Sequence, residues 1–454
     1  MTVLPLDRPA SARRGRQRRS GSPTPIQPGL SFADLGVPAP LVTTLAEGGI
    51  IAPFPIQAAT LTDTLAGRDV LGRGQTGSGK TLAFCIPLVA ALADGYTMAG
   101  RPRGLILVPT RELASQVQAV LLPLARAMGL SSVTIFGGTP QRPQVAALQA
   151  RADIVVACPG RLADLMEQGH CHLGDVEVSV IDEADHMADL GFLPIVRRLM
   201  TATPSEGQRM LFSATLDNDV DVLVRRFLSD PAEHAVDSGA RPAAIVHHVL
   251  TVAAADRVSV VAELAAGQGR TLVFTRTKHA ARKLAHQLAA SRIPAAELHG
   301  NLAQGARERN LASFAAGDVR VLVATDIAAR GIHVDGIDLV IHADPPTEHK
   351  AYVHRSGRTA RAGASGVAVT LQTTAQAGDV AAMMRRAGVI PLRATVGPRS
   401  ELLRSIAGPP AERTAPAARP RPAITTSLPD GNGVAATGHG AAAMSAGFRG
   451  RRRR

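Results

Sequence analysis

Two short segments of the chain contain residue types that together can bind and hydrolyse a nucleoside triphosphate. Residues 74–81 read GQTGSGKT, which fits the phosphate-binding pattern G-x-x-x-x-G-K-[ST]. Asp182 and Glu183 follow the apolar run 176–181, which places both carboxylates at the carboxyl end of an expected strand. There one carboxylate can hold Mg²⁺ while the next addresses a water molecule. The pair of segments therefore predicts triphosphate binding and hydrolysis.

Each residue type in the glycine-rich segment has its own task. Gly77, Ser78 and Gly79 form a turn whose backbone can approach phosphate oxygens, and the helix that follows presents free N–H groups to the anion. Lys80 supplies a positive charge to the β- and γ-phosphates, and Thr81 supplies a hydroxyl to Mg²⁺. The chain has only four lysines, so a chance match to this pattern is rare. The alternative interpretation is a glycine-rich turn that carries a surface lysine.

The acidic segment predicts two different roles for neighbouring carboxylates. We expect Asp182 to hold Mg²⁺, through water, and Glu183 to orient or deprotonate the attacking water. A solvated acidic turn is the alternative. Ser213 and Thr215 follow a third apolar strand, and their hydroxyls are expected to relay the state of the triphosphate to other parts of the protein.

A basic segment in the second half of the chain is a candidate for neutralising charge on a phosphoryl group. Residues 354–361 read HRSGRTAR, so His354 begins the segment and Arg358 and Arg361 lie three residues apart. On a helix, that spacing places both guanidinium groups on one face. Arginine fingers that neutralise developing phosphoryl charge require such placement. A solvated basic helix face is the alternative.

The arrangement of apolar runs predicts an α/β protein with two domains. Short β-rich runs alternate with Ala- and Leu-rich helical stretches, which is typical of parallel sheets covered on both faces. The expected strands are Gly104–Pro109, Asp153–Cys158, Val176–Ile181 and Arg209–Ser213 in the first half, and Thr271–Thr275, Val319–Ala324, Leu339–Ala343 and Gly366–Leu371 in the second.

A polar stretch rich in Pro and Gly separates the two sets of strands and indicates a linker. We therefore expect one domain over 31–234, a linker over 235–242 and a second domain over 243–395. Residues 1–30 and 396–454 are expected to be disordered basic tails, because they are rich in Arg, Pro, Ala and Gly and lack periodicity.

Composition narrows the function classes. The net charge of +13 belongs mainly to the two ends, which predicts a salt-sensitive tether for a polyanion, with a solubilising tail as the alternative. No apolar stretch approaches the ~20 residues of a membrane span, and the N-terminal residues are polar and Arg-rich. Three cysteines without pairing spacing favour a reducing cytoplasm and disfavour a metal site.

Taken in order, these segments resemble the DEAD-box family of ATP-dependent RNA helicases, over residues ~32–395 of this sequence. The resemblance implies two tandem RecA-like domains and an adenine-reading element formed by Phe32 and residues 49–57, GIIAPFPIQ. Phe32 is then expected to stack on adenine, and Gln57 to hydrogen-bond the edge of the base. ATP and Mg²⁺ are the implied cofactors.

The resemblance also implies a set of RNA-backbone contacts and a mechanism. Closure of the two domains on ATP and RNA would bring Arg358 and Arg361 to the γ-phosphate and bend one RNA strand, so that unwinding is local. Because aromatic residues are scarce, we expect sugar–phosphate contacts with little sequence preference. The RNA-binding residues implied by the motifs are Pro109, Thr110, Arg111, Gly138 and Arg161 in the first domain, and Arg276, Gly300, Gln304, Arg307 and Thr325 in the second.

Three positions depart from the family pattern. Cys158 replaces a Thr and removes a hydroxyl, and Ala360 replaces a Gly between the two arginines. His333 stands where the family has an Asp near the ribose of ATP, and Asp335 is the candidate to substitute for it. We expect activity to be retained, because every phosphate-handling residue is present.

Two other functions remain open at the level of sequence. An ATP-gated RNA clamp with little turnover is the main alternative, and a DNA helicase or translocase is a weaker one. Expected partners are RNA and, by family resemblance, precursors of the ribosome or proteins of RNA decay, without any membrane.

Overall fold

The structure is a computed structural model that describes residues 29–74, 77–216, 218–236, 245–329, 334, 336–360 and 365–411. Residues 1–28 of the expected N-terminal tail, 237–242 of the expected linker and 412–454 of the expected C-terminal tail lie outside the described residues. Both sheets described below belong to one compact unit of the chain. Among the described residues, no helix is both long and apolar enough to cross a membrane.

The first sheet has seven parallel strands. Its inner strands are runs of Val, Leu and Ile that are buried along their whole length, as expected when helices cover both faces of a sheet. The spatial order is β3-β4-β2-β5-β6-β1-β7. The strands are β1 Val70–Arg73, β2 Gly104–Leu107, β3 Ser132–Ile135, β4 Ile154–Ala157, β5 Val178–Ile181, β6 Gln208–Ser213 and β7 Ala232–Ala235.

Nine helices accompany this sheet in the described residues. Several are amphipathic, and they pack their apolar faces into two core clusters, one on each side of the sheet. They are α1 Ala39–Glu47, α2 Pro55–Leu65, α3 Lys80–Ala91, α4 Arg111–Ala127, α5 Gln141–Gln149, α6 Pro159–Glu167, α7 Ala184–Asp189, α8 Leu193–Thr201 and α9 Asn218–Phe227.

The second sheet also has seven parallel strands, in the order β10-β11-β9-β12-β13-β8-β14. The strands are β8 Ile245–Thr251, β9 Arg270–Thr275, β10 Ala295–Leu298, β11 Val321–Thr325, β12 Ile337–His342, β13 Gly366–Gln372 and β14 Leu392–Thr395. Its helices are α10 Arg257–Leu264, α11 Lys278–Ala290, α12 Gln304–Ala316, α13 Asp326–Ala329, α14 His349–Ser356, α15 Ala377–Arg386 and α16 Glu401–Ala407. The expected α/β architecture with two tandem RecA-like parallel sheets is confirmed.

The order of the first sheet sorts the candidate residues into two groups. Strands β5, β6 and β1 are neighbours, so the glycine-rich segment, the acidic segment and the Ser213–Thr215 segment meet at one part of the carboxyl edge. Strands β3, β4 and β2 form the other half of the sheet, and the loops after them carry the expected RNA contacts. Because carboxyl ends of parallel strands share one edge, both groups face the same side of the domain.

The expected start of the C-terminal tail at residue 396 is wrong. Residues 401–407 form α16, which packs against α10, and Leu403 is fully buried in the core of the second domain. Val396 belongs to the same cluster. The prediction relied on the Ala- and Gly-rich composition of the tail and therefore placed the domain boundary too early. Three apolar residues on one helical face are enough to anchor a short helix to a preformed core.

Candidate functional site

The glycine-rich loop between β1 and α3 is folded around its own lysine. Gly77 and Gly79 have φ angles of 87° and 89°, a left-handed conformation that glycine adopts without a side-chain clash. Lys80, the first residue of α3, is buried and donates a hydrogen bond from Nζ to the Gly74 carbonyl at 2.7 Å. The Ser78 hydroxyl is buried and has no partner among the described residues. A buried ammonium and an orphaned hydroxyl beside a helix N-terminus fit a phosphate group.

Gln57 ties the start of α2 to this loop. Its side chain is fully buried, its Nε2 donates to the Gly79 carbonyl at 2.9 Å, and its Oε1 accepts from the Phe54 N–H at 2.8 Å. Both ends of the amide are therefore engaged within the protein. Each end keeps the capacity for one further hydrogen bond, because the amide carries two N–H donors and two acceptor lone pairs.

The expectation that Phe32 stacks on adenine is not met in this structure. Only 2% of Phe32 is exposed, because its ring lies in the first core cluster with Leu41 and Ile56. Phe54 is 57% exposed, and its ring lies against Gly79 at the start of α3. The sequence interpretation placed Phe54 within the adenine-reading element but gave it no individual role, because its exposure and its contact with Gly79 are visible only in the structure.

The acidic turn after β5 buries three carboxylates close together. Burial raises the pKa of Asp182 to about 7; nearby Lys80 lowers it, whereas Glu183 and Asp185 raise it further. Asp182 Oδ1 accepts the Glu183 N–H at 2.9 Å. A carboxylate in such repulsive surroundings is stabilised in its charged form by a cation. The geometry thus favours a positive ion beside Asp182.

Glu183 is held by a residue that the sequence interpretation missed. Glu183 caps α7 in a left-handed conformation, with φ 51° and ψ 51°. Its Oε2 lies 3.0 Å from Nδ1 of His186, which is one turn further along. Nε2 of His186 is buried without a partner among the described residues. A proton on Nε2 would be unsatisfied, so the neutral ring carries its proton on Nδ1 and donates to Glu183.

Asp185 connects the acidic turn to the loop after β6. Its Oδ2 accepts hydrogen bonds from the Thr215 N–H and hydroxyl, both at 3.0 Å. The Ser213 hydroxyl donates to the Thr215 carbonyl at 2.8 Å and accepts from the Asp185 N–H at 3.3 Å. Ser213 and Thr215 therefore form one hydrogen-bonded unit with the acidic turn, through a carboxylate that sequence reasoning left unassigned.

Helix α14 of the second domain approaches this unit across the cleft. His354 Nδ1 lies 3.7 Å from Oδ2 of Asp189 on α7. A cavity of about 210 Å³ between the two domains is lined by Asp185, Asp189, Thr215, Leu216, His349, Lys350, Val353 and His354.

The expected helical placement of Arg358 is wrong. Helix α14 ends at Ser356, and Arg358 follows in a turn, where it is largely buried. Gly357 is the first residue after the helix, so Arg358 lies beyond its end. Arg361, together with His333 and Asp335, lies outside the described residues.

Arg355, which sequence reasoning also left unassigned, fastens α14 to its own sheet. Its Nε and Nη2 donate to Asp326 at 2.5 and 2.6 Å, and its Nη1 donates to the Asp344 carbonyl at 3.0 Å. Asp326 directly follows Thr325, the last residue of β11. The helix that faces the acidic turn is thereby linked to a strand end that carries an expected RNA contact.

In the first domain, the expected RNA contacts converge at the ends of β2, β3 and β4. The guanidinium of Arg111 lies against Gly138 and occupies the space that a side chain there would need. Arg161 donates from Nη1 to the Thr139 carbonyl at 3.4 Å, next to Gly138. Thr110 uses its hydroxyl to cap α4, and Pro109 beside it is buried.

In the second domain, the expected RNA contacts lie at the carboxyl ends of three adjacent strands, β9, β10 and β11. Arg276 follows β9, Gly300 lies two residues after β10, and Thr325 is the last residue of β11. Arg276 and Gly300 are exposed. Gln304 at the start of α12 is buried and donates to Glu308 at 3.1 Å. These positions form an edge that matches the one in the first domain.

Arg307 was expected to contact RNA, but its guanidinium is directed to an acidic side chain of the first domain. Its Nε lies 2.8 Å from Oε1 of Glu112 in the first domain, an ion pair without the alignment of a hydrogen bond. The two side chains are 8% and 3% exposed. Arg307 therefore joins the two domains in this structure.

The residues present fit Mg²⁺ in the manner typical of nucleotide sites. Thr81 offers a hydroxyl and Asp182 a carboxylate, and both are hard oxygen ligands. No group of three His, Cys, Asp or Glu side chains among the described residues is arranged to hold a metal by itself. Magnesium commonly binds through one or two protein oxygens plus substrate phosphates.

Comparisons with known proteins agree with this geometry. Residues 54–223 match the family model of the DEAD/DEAH box helicase, and residues 256–363 match that of the helicase conserved C-terminal domain. The ATP-dependent RNA helicase RhlB of Pseudomonas syringae pv. tomato is 40% identical over 351 residues, which cover 75% of this chain and 88% of that protein. The chloroplastic DEAD-box ATP-dependent RNA helicase 3A of Zea mays is 42% identical over 370 residues, 79% of this chain but only 49% of the longer plant protein.

A similar solved structure is that of S. cerevisiae Dbp5 bound to RNA and ADP BeF3. It matches with a TM-score of 0.72 and 26% sequence identity, and the match covers 83% of this chain and 98% of that chain. The similarity spans both sheets, so it concerns the two-domain arrangement as well as each sheet.

The raised pKa of Asp182 predicts a pH-dependent cost of folding without nucleotide. The carboxyl has a pKa of about 7 when folded and an ordinary value of 3.8 otherwise, so stability falls as pH rises from 3.8 through 7. Asp182→Asn removes this cost. The variant should melt at a higher temperature than the parent. Its gain in the free energy of unfolding should be larger at pH 8 than at pH 5 by on the order of 2 kcal/mol. Thermal unfolding in chelator measures it, and an equal gain at both pH values would contradict the assignment.

Proposed function

Since the chain belongs to the DEAD-box family of ATP-dependent RNA helicases, we propose that it couples ATP hydrolysis to the local separation of short RNA duplexes or to the remodelling of RNA–protein complexes. The observation that supports this most directly is a hydrogen-bonded path that begins at Glu183 and ends at Thr215. The Glu183 carboxylate contacts the His186 ring, the His186 backbone N–H donates to Asp185, and Asp185 accepts from Thr215. The path leads from the acidic turn to the cleft that His354 of the second domain also lines.

The nucleotide is proposed to bind at the start of α3. Gly77, Ser78 and Gly79 surround the phosphates with backbone N–H groups, and the orphaned Ser78 hydroxyl gains an acceptor. Lys80 exchanges the Gly74 carbonyl for a β- or γ-phosphate oxygen, which is the stronger partner because it is charged. Gln57 reads the base. Thr81 and Asp182 would hold Mg²⁺, which would supply positive charge beside the phosphates.

Hydrolysis is assigned to residues on both sides of the cleft. Glu183 orients the attacking water and receives its proton, and His186 fixes the carboxylate in place by donating to Oε2. Arg358 and Arg361 neutralise the charge that develops on the γ-phosphate when the cleft is closed. His354 approaches Asp189 and lies next to Thr215, so it is proposed to sense that closure.

RNA is proposed to lie along the two edges formed by the ends of β2, β3 and β4 and of β9, β10 and β11. Contacts from Arg111, Arg161 and Arg276, and from the backbone at Gly138 and Gly300, reach phosphates and riboses rather than base edges. Such contacts fix the position of a strand without reading its sequence. Gln304 and Thr325 support the same edge.

Domain closure is proposed to couple the two sites. Arg307 and Glu112 sit next to the RNA edges, whereas His354 and Asp189 sit next to the phosphate site, and each pair joins the two domains. A ligand that favours closure at one site then favours it at the other. RNA is the proposed partner, and the cytoplasm is the proposed location. Ribosomal precursors or RNA-decay proteins are the proposed associates. The clamp alternative rested on His333, so no described contact favours it.

The proposed activity predicts ATP-dependent unwinding that requires Glu183. A short RNA duplex with a single-stranded overhang should separate in the presence of ATP and Mg²⁺ and not with ADP. Glu183→Gln keeps the size of the side chain but removes the base, so unwinding turnover should fall by at least a hundredfold while ATP binding persists. Native-gel separation of a labelled strand measures this. An unchanged rate in the variant would contradict the assignment.

The His186 contact predicts a loss of turnover without a loss of ATP binding. His186→Leu removes the donor to Glu183 and should lower kcat about tenfold, with KM for ATP changed less than twofold. His186→Asn supplies an amide donor near the position of Nδ1 and should recover most of the loss. Steady-state ATPase rates with saturating RNA measure both variants. Equal damage by Leu and Asn would indicate a packing role instead.

A further inference from the structure

Residues 276–292, which contain α11, form the most uniformly basic surface in the described part of the second domain. This segment contains no Asp or Glu. All of its ionisable side chains are exposed to solvent: Arg276, Lys278, His279, Arg282, Lys283, His286 and Arg292. The charge is distinctive because most of the positive charge of the protein lies in the two ends of the chain rather than between them.

The pattern of burial on α11 collects these side chains into one stripe. The helix buries Ala281, Leu284, Ala285 and Leu288 against β9, β10 and β11. The side chains at 278–279, 282–283 and 286 therefore share the opposite face, since residues three or four apart lie on one side of a helix. We call this stripe the α11 ridge. A helix of this length extends about 20 Å.

The α11 ridge begins at the edge proposed to hold RNA. Arg276 immediately follows β9, and Thr277 caps the helix through its hydroxyl, which accepts the Ala280 N–H at 3.1 Å. Lys278 donates to Oδ1 of Asn301 at 3.0 Å, in the loop that also carries Gly300. The positive charge thus continues without interruption from the strand ends along the outside of the domain.

The charges of the α11 ridge are available for an external partner. Within the part of the chain that the structure describes, Arg282 and Lys283 form no ion pair with an acidic side chain. The ridge also has no exposed large hydrophobic residue, whereas Ile390 and Leu392 elsewhere on the domain are such residues. Protein interfaces have apolar and aromatic centres, so this surface is suited to a polyanion rather than to a folded protein.

We propose that the α11 ridge binds the phosphate backbone of the double-stranded RNA that flanks the strand held at the edge of the sheet. This inference rests on the proposed RNA-unwinding function. A straight ridge of about 20 Å spans a length of duplex that carries roughly a dozen phosphates over both strands, and it can contact those on the side that faces it. It would hold the duplex beside the cleft in which one strand is bent, without reading sequence.

The test compares duplex and single-stranded RNA in the full-length protein. Arg282→Gln with Lys283→Gln removes two charges from the ridge. Affinity for a duplex with an overhang should fall about tenfold near 0.1 M salt, and the slope of log affinity against log salt should decrease by about 1.8. Affinity for the isolated overhang strand should change less than twofold. Fluorescence anisotropy with a non-hydrolysable ATP analogue measures all three quantities.

A matched control removes the same charge elsewhere on the domain. Arg385 and Arg386 are adjacent and exposed on α15, which packs against α14. Arg385→Gln with Arg386→Gln should leave both affinities and the salt slope unchanged. ATPase activity stimulated by single-stranded RNA should match the parent in both double variants, which separates this inference from the proposed function itself.

Three outcomes would overturn the proposal. Unchanged duplex affinity in the α11 variant would show that the ridge does not bind duplex RNA and would favour an acidic protein as its ligand. Equal losses for duplex and single strand would make the ridge part of the strand site. Equal losses in the α11 and α15 variants would reduce the effect to net charge.

Discussion

Every strand in both sheets runs parallel to its neighbours, and the placement of all the chemistry follows from this constraint. Parallel strands end at a common edge, so each loop that follows a strand can supply a side chain to the same region. The strand order then sorts these loops. In the first sheet, β1, β5 and β6 bring together the glycine-rich loop, the acidic turn and the loop after β6, whereas β2, β3 and β4 carry the proposed RNA contacts. The second sheet repeats the separation, with β9, β10 and β11 on the RNA side.

Several polar groups of the phosphate site have hydrogen-bond partners within the protein, although the Ser78 hydroxyl has none among the described residues. Lys80 donates to the Gly74 carbonyl, and the Gln57 amide is engaged by Gly79 and Phe54. Each of these contacts occupies a group that a nucleotide would use. Asp182 has Lys80 as a nearby positive charge, yet burial still raises the pKa of its carboxyl to about 7. The site is therefore least stable where it is to bind a cation, which is the usual consequence of preorganising charge for function.

The sequence could predict features that depend on residues close together along the chain. The strands and the residues at their ends follow from short apolar runs, so Lys80, Asp182 and Ser213 could be assigned to one edge before the structure was known. Contacts that depend on packing could not. The burial of Phe32 and the pairing of Arg307 with Glu112 join parts of the chain that no local pattern connects. The spacing argument also assumed a helix that reaches Arg358, whereas α14 ends at Ser356. His186 was missed because its importance comes from one hydrogen bond.

The central claim is that closure of the two domains carries the coupling between RNA and ATP, and the Arg307–Glu112 pair offers the most direct test. Arg307→Glu places two buried carboxylates together, which costs roughly 3–5 kcal/mol and disfavours closure. RNA-stimulated ATPase activity should then fall at least a hundredfold, while ATP binding to the isolated phosphate site persists. Combining it with Glu112→Arg restores opposite charges and should recover much of the stimulation. A single variant that is stimulated as strongly as the parent, or a combined variant no better than the single ones, would contradict the account.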